Sequence, residues 1–353
     1  MIVSTCSFGS TGSSVITDYL KEYDNIHVFD KVEIPWVAAV DGLLDLEYHL
    51  NNPHGRTSDS ICAIERYKKL CYKKAASFER LGVPREVVLE SVDKFLDSII
   101  QTSWKWFRQT DGPDSLWRKL RIKVLNKTGW ITKWQIKNMR QWEGFPFEDV
   151  YFSVKPKDFN LHAQQHVREI FSALGAKDGE ILVFDQLFPG NYPQSCFRFF
   201  DDPYAVVVDR DPRDVYVFGR TVLLKKGLVG HIMPLNDVKN FVIYYKALRD
   251  NQPYKEDNPK ILRLHFEDLV YHYEDAAKKL REFLNLPENP NPKSVFDPSI
   301  SMPNTQVWKR FPQYNDDIAY IEKELPEYLF DYTGCPEPDP NGKMFNGHSP
   351  KNK

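Results

Sequence analysis

The sequence predicts an α/β fold, three layers built on a central parallel sheet, with a helical insertion. Three observations carry that expectation. The chain opens on strand, small-residue loop, helix and strand. Its second half alternates short apolar runs with stretches of helical periodicity. Between the two lies a long stretch at helical spacing alone.

The first run, Ile2-Val-Ser-Thr5, is short and ends in a loop, so it reads as a buried strand. The loop Cys6-Ser-Phe-Gly-Ser-Thr-Gly-Ser-Ser14 follows. Val15, Ile16, Tyr19 and Leu20 then share one helix face, and Ile26-His-Val-Phe29 fits a second strand. Apolar residues recur at helical spacing through Leu43–Leu50, Ile61–Phe78 and Val87–Ile100. From Trp104 to Trp142 the chain is basic and Trp-rich, with Trp117, Trp130 and Trp134 among many Lys and Arg. No clean linker appears, so residues 40–150 are expected to form an insertion within one domain spanning 1–335. The α/β pattern resumes with a helix at about Leu161–Leu174 and strands at Ile181–Phe184 and Tyr204–Val208. A helix opening at Asp211-Pro212, a helix at about Asp237–Arg249, a strand at Lys260–Leu264 and a helix at about Glu274–Leu284 complete it. Residues 336–353, rich in Pro, Gly, Asn and Lys, read as a disordered tail.

Composition narrows the function classes. The 353 residues carry a formal net charge of -2, which argues against a nucleic-acid partner. Any anion site must come from local placement of basic groups. The five cysteines, Cys6, Cys62, Cys71, Cys196 and Cys335, are odd in number and form no CxxC, so they read as reduced thiols of a cytosolic protein. Met1-Ile-Val-Ser-Thr lacks a basic n-region, and no apolar run reaches the roughly 18 residues of a spanning helix. A soluble, cytoplasmic protein is expected, and no oligomeric state can be read. His162 and His166 lie one helical turn apart, but without the glutamate of the zinc-protease motif they read as a helix-face pair, and no metal is expected.

Two constellations point to anion binding. In Gly9-Ser10-Thr11-Gly12-Ser13-Ser14, glycines let the backbone wrap a phosphate, serines add hydroxyl donors, and the following helix adds free N–H groups. The Gly-Lys-Ser/Thr ending of an ATP-binding P-loop is absent. In Val206-Val-Val-Asp-Arg210-Asp-Pro-Arg213-Asp214, a buried strand delivers Arg210 to its carboxyl end, where open α/β sheets bind ligands. Asp211 suits the N-cap of the next helix, Pro212 its first position and Asp214 its third, leaving Arg210 and Arg213 beside a helix start.

Together these motifs resemble the sulfotransferases that use 3′-phosphoadenosine 5′-phosphosulfate (PAPS), on a P-loop NTPase-like sheet. A bacterial carbohydrate sulfotransferase is the kind of member suggested. The family grips the 5′-phosphosulfate with Lys/Arg-Ser/Thr-Gly-Ser/Thr-Ser/Thr, matched here by Ser10-Thr-Gly-Ser-Ser14. Its second motif, Arg-x-Pro-Arg/Lys-Asp, binds the 3′-phosphate through the first Arg, matched here by Arg210. Leu262-Arg-Leu-His-Phe-Glu267-Asp268-Leu269 with the following helix is similar to the family's Arg-Tyr-Glu-Asp-Leu element. Asn304-Thr-Gln-Val-Trp-Lys309-Arg310 resembles its late basic loop, which closes over the nucleotide. The resemblance spans residues 1–30 and about 180–330.

The resemblance implies transfer of a sulfuryl group from PAPS, leaving PAP, to an acceptor hydroxyl or amine. Two positions depart from the pattern. Ser10 stands where a Lys or Arg is usual, with Lys31 and Arg220 as candidate substitutes. Phe218 stands where a phosphate-binding Ser often lies, and Arg220 can take that contact. Asp185, closing the strand before Arg210, is the preferred catalytic base, with Asp30 and Glu33 as rivals. The Trp-rich basic stretch favours a carbohydrate acceptor. A P-loop-like kinase and a degenerate, non-catalytic binder of nucleotide or glycan stay open as alternatives.

Overall fold

A computed structural model of the chain describes residues 1–52, 57–106, 120, 123, 124, 127, 148–175, 179–224, 232–250 and 257–344. They fall into two units, Met1–Pro35 with Gly175–Lys353, and Trp36–Leu174. The strands are β1 (Ile2–Cys6), β2 (Ile26–Phe29), β3 (Thr102–Trp106), β4 (Glu148–Phe152), β5 (Ile181–Asp185), β6 (Pro203–Asp209) and β7 (Ile261–His265).

The first unit is the expected α/β fold. Its five strands are all parallel, in the order β2-β5-β1-β6-β7. They read as continuous apolar runs because helices cover such a sheet. Val3, Val183, Val206 and Val208 form one core with Ile16 and Leu20 of the helix Ser14–Leu20 and Leu280 of the helix Tyr273–Leu284. A second core gathers Tyr216, Phe241, Tyr245, Val307 and Ile321 from the helices Pro212–Phe218, Val238–Arg249 and Asn315–Glu324 and the turn between them. The register pairs Thr5 with Asp185 and Cys6 with Val207, so the carboxyl ends of β1, β5 and β6 lie side by side.

The second unit contains the whole segment expected as an insertion and also the helix Phe159–Ser172, which the sequence assigned to the α/β part. Trp36, Tyr67, Phe78, Phe95 and His166 pack ring on ring at its centre. It is not purely helical. β3 pairs antiparallel with β4, Trp104 opposite Val150. The alternation Thr102, Trp104, Trp106 suits a pleated strand, and the helical reading overlooked it. Trp117, Trp130, Trp134 and Trp142 lie outside the described residues.

The expected tail is described as far as residue 344, and that part is held down. Gln306 Nε2 donates to the Pro336 carbonyl at 3.1 Å, Lys309 pairs with Glu337 at 2.6 Å, and Arg310 donates to the Gly342 carbonyl at 3.0 Å. Residues 345–353 lie outside the described residues. No helix among the described residues is long and apolar enough to cross a membrane.

Candidate functional site

The loop after β1 turns sharply through left-handed backbone at Gly9 (φ 80°), Ser10 (φ 62°) and Gly12 (φ 89°). The turn leaves the backbone N–H groups of Gly9 through Ser14 without an acceptor among the described residues. Such a run of open N–H groups makes a concavity for an anion. The loop is anchored around that run. Ser7 N–H donates to Gln186 Oε1 at 3.2 Å, and the buried Thr11 hydroxyl donates to the Val208 carbonyl at 2.6 Å. Thr11 therefore ties the loop to β6 and offers its hydroxyl to no ligand. Gly12 is required twice, by its φ and because a Cβ there would stand 2.5 Å from the Phe266 ring.

Arg210 follows β6 and is 3% exposed. Its Nη1 donates to the Ser10 carbonyl at 3.0 Å and its Nη2 to the Asn304 carbonyl. The guanidinium lies between the rings of Phe218 (5.1 Å) and Phe266 (5.0 Å). Its Nε is buried with no partner among the described residues. A fixed guanidinium with an unused N–H, hydrogen-bonded to a loop of open amides, can take a phosphate oxygen.

The residues around Arg210 are scaffold. Asp211 caps the helix Pro212–Phe218, accepting the Arg213 N–H at 2.8 Å. Arg213 is engaged within the protein, its Nη2 2.6 Å from Asp211 and its Nη1 2.9 Å from Glu322. Asp214 accepts the N–H groups of Gln306 (2.8 Å) and Val307 (2.6 Å), and Glu267 accepts that of Asp211 (3.0 Å). Glu267 lies in the first turn of the short helix Phe266–Tyr271, directly after β7. Burial pushes Asp214 up to about 6, opposed by the Arg210 charge, and holds Glu267 well above the usual carboxylate range, helped by Asp211 and Asp214.

The other basic residues expected at the nucleotide have protein partners. Arg220 donates to Tyr216 Oη at 2.6 Å and lies 3.5 Å from Asp317. Lys309 and Arg310 hold the segment 336–342, as described above. Of the expected contacts, the structure brings together the loop Gly9–Ser14 and Arg210. Arg213, Arg220, Lys309 and Arg310 are drawn elsewhere by carboxylates and carbonyls that their spacing in sequence could not reveal.

Asp185 closes β5 beside the same loop. Thr5 Oγ1 donates to its Oδ1 at 3.0 Å, and Ser13 Oγ lies 3.5 Å from that oxygen. Burial, with the nearby charges of Glu33 and Asp30, pushes its carboxyl up to about 6 against those hydrogen bonds. Of the rival bases, Asp30 is paired with Lys21 at 2.5 Å, and Glu33 is exposed. Lys31 is also exposed.

Sequence reasoning missed Arg249, which is 1% exposed and forks onto Asp209 through Nε (2.7 Å) and Nη2 (2.5 Å). Its guanidinium lies 4.0 Å from the ring centroid of Phe8 in the loop, and Asp209 Oδ1 accepts the Arg210 N–H at 2.8 Å. The contacts of Arg249 with Asp209 and Phe8 have no signal in local spacing. His166, in the other unit, is a core residue with Tyr67 Oη on one ring nitrogen (2.9 Å) and Ser91 Oγ on the other (2.8 Å). Among the described residues no group of His, Cys, Asp and Glu is disposed to hold a metal ion.

No family profile matches the chain, and no curated protein matches it. Solved structures do. The sulfotransferase domain of the curacin biosynthetic pathway is similar at 13% identity over 84% of this chain and 77% of its own, with a TM-score of 0.38. The sulfotransferase domain of the Synechococcus PCC 7002 olefin synthase gives 11% identity over 84% of this chain and 76% of its own, at a TM-score of 0.38. Sulfotransferase STF9 of Mycobacterium avium gives 11% over 93% of this chain and 76% of its own, at 0.34. What the site can do is decided by its own residues.

Proposed function

We propose that this chain is a PAPS-dependent sulfotransferase acting on a hydroxyl of a carbohydrate. One observation carries the reading: the buried Arg210 guanidinium, with an unused Nε, is hydrogen-bonded to a loop whose N–H groups from Gly9 to Ser14 are open. Two anion grips in one unit suit a nucleotide with phosphates at both 5′ and 3′ positions. The loop N–H groups with Ser13 and Ser14 hold the 5′-phosphosulfate, and Arg210 holds the 3′-phosphate.

PAPS supplies an activated sulfuryl group, whose bond to the 5′-phosphate breaks as the bond to the acceptor oxygen forms. The chain's own work is positioning and charge stabilisation, as in phosphoryl transfer. The loop N–H groups stabilise charge growing on the leaving phosphate, a task usually shared with the cation missing at Ser10. Asp185 takes the acceptor proton, and a carboxyl pushed up to about 6 is well matched to that task near neutral pH. The carbohydrate acceptor is supported by the Trp-rich, basic composition between Trp104 and Trp142.

A second reading, a binder of nucleotide without turnover, is favoured by Ser10 and by the protein partners of Arg213 and Arg220. Radiolabelled transfer from PAPS onto a glycan panel distinguishes the two. Wild type is expected to transfer label, and Arg210→Ala and Asp185→Asn each to lose about a hundredfold or more. Turnover unchanged from wild type in both variants overturns the assignment. Tight PAP binding with no transfer establishes the second reading, and stabilisation by ATP with magnesium, but not by PAP, establishes a kinase.

A further inference from the structure

Arg210 is held by two stretches of backbone, and each hangs on a different buried carboxyl. Its Nη2 donates to the Asn304 carbonyl, and the chain just beyond is fixed where Asp214 accepts the Gln306 and Val307 N–H groups at 2.8 and 2.6 Å. Gln306 itself is in left-handed backbone, φ 50°, so this turn needs an anchor to hold its shape. The peptide N–H immediately after Arg210, that of Asp211, is held at 3.0 Å by Glu267 Oε1.

One side chain from the C-terminal segment joins the two carboxyls. Tyr332 Oη lies 2.9 Å from Asp214 Oδ2 and 3.3 Å from Glu267 Oε1. The segment is docked independently of that hydroxyl, because the Phe330 N–H donates to Asp211 Oδ2 at 3.0 Å and the Tyr332 ring packs edge-on against Tyr271 at 6.0 Å. The hydroxyl is therefore not needed to bring the segment down. What it adds is one O–H between Asp214 Oδ2 and Glu267 Oε1, each of which already accepts a backbone N–H.

We propose that Tyr332 is a positioning residue for the donor site, whose hydroxyl bridges Asp214 and Glu267 and so sets the aim of Arg210 at a 3′-phosphate. This rests on the reading of Arg210 as the 3′-phosphate ligand. Tyr332→Phe removes one oxygen and keeps the ring, so the fold is retained and only the bridge is lost. Without it the 304–307 turn and the peptide after Arg210 settle separately, and the guanidinium loses its alignment.

The test compares PAP with adenosine 5′-monophosphate, which lacks only the 3′-phosphate, by calorimetric titration of the full chain. Wild type is expected to prefer PAP strongly. Tyr332→Phe is expected to reduce that preference about tenfold while leaving the monophosphate Kd unchanged, the size of a lost hydrogen bond to a charged group. Asp214→Asn, which keeps one acceptor oxygen, is expected to narrow the preference in the same way. An unchanged preference in both variants, or an equal loss for both nucleotides, overturns the positioning role while leaving the donor site intact. No preference in wild type overturns the donor-site reading itself, and this proposal with it.

Discussion

Asp185 shows how one residue's stability and its proposed chemistry pull in opposite directions. Its folded pKa is raised from 3.8 to about 6, mainly by burial. A raised carboxyl contributes its full stability below the unfolded value and loses it as pH rises through the folded one. Above pH 6 the folded protein therefore carries an unfavourable buried charge. Asp185→Asn, which keeps an oxygen to accept from Thr5, is expected to be more stable than wild type at pH 8 by on the order of 2 kcal/mol, with the difference vanishing near pH 4. Thermal melts at the two pH values check this, and a variant no more stable at pH 8 contradicts the buried charge. Asp185 was legible in the sequence because it ends an apolar run beside the expected site. The partners of Arg213 were less legible. Its spacing suits a phosphate, but the partners that engage it, Asp211 and Glu322, lie 2 and 109 residues away, and only the fold brings the second one near.

At the scale of elements, the five strands of the parallel sheet were legible almost to the residue because such a sheet, covered by helices, demands unbroken apolar runs. The loop after β1 was legible as a loop, and its glycines as glycines with a purpose. What stayed hidden was the element behind it. Phe266 and Glu267 form the first turn of the helix Phe266–Tyr271, where the ring faces Gly12 and the carboxyl holds the Asp211 N–H. Such contacts across the unit leave no periodic trace. Gly12→Ala tests how tightly the loop is confined. The added methyl meets the Phe266 ring at 2.5 Å in a backbone at φ 89°, so it strains the turn and pushes a ring that also lies on Arg210. A loss of about 2 kcal/mol in stability and at least tenfold in PAP affinity is expected, measured by melting and titration. Normal affinity in the variant contradicts the shared wall.

For the whole molecule, the two units respond to acid differently. His166, in the second unit, is held neutral, its pKa pushed down to about 3 by burial although Ser91 hydrogen-bonds it. The unfolded chain takes up that proton near the ordinary value of 6.5, so the stability of the neutral, buried ring is present above that pH and lost as pH falls toward 3. Asp185 and Asp214, in the first unit, are both raised to about 6 and run the other way. Hydrogen exchange, corrected for its intrinsic pH dependence, is expected to show protection of Phe159–Ser172 falling between pH 7 and 4.5 relative to Pro203–Asp209, and His166→Gln is expected to flatten that fall. A parallel decline in both segments contradicts it. The sequence marked residues 40–150 as an insertion but not the bounds of this unit, since no linker marks residues 35 and 175.

The position of β1 in the sheet has one more consequence, for biosynthesis. β1 lies between β5 and β6, and Thr5 sits beside Phe184, 179 residues further along. At cellular translation rates that distance corresponds to on the order of ten seconds or more. Throughout that interval the future centre of the sheet has been made and has neither neighbour to pair with, while the chain of the second unit, Trp36–Leu174, is still being added. Both ladders of β1 form only when the nascent chain has passed β6, so the most central strand is also the one that waits longest for its neighbours.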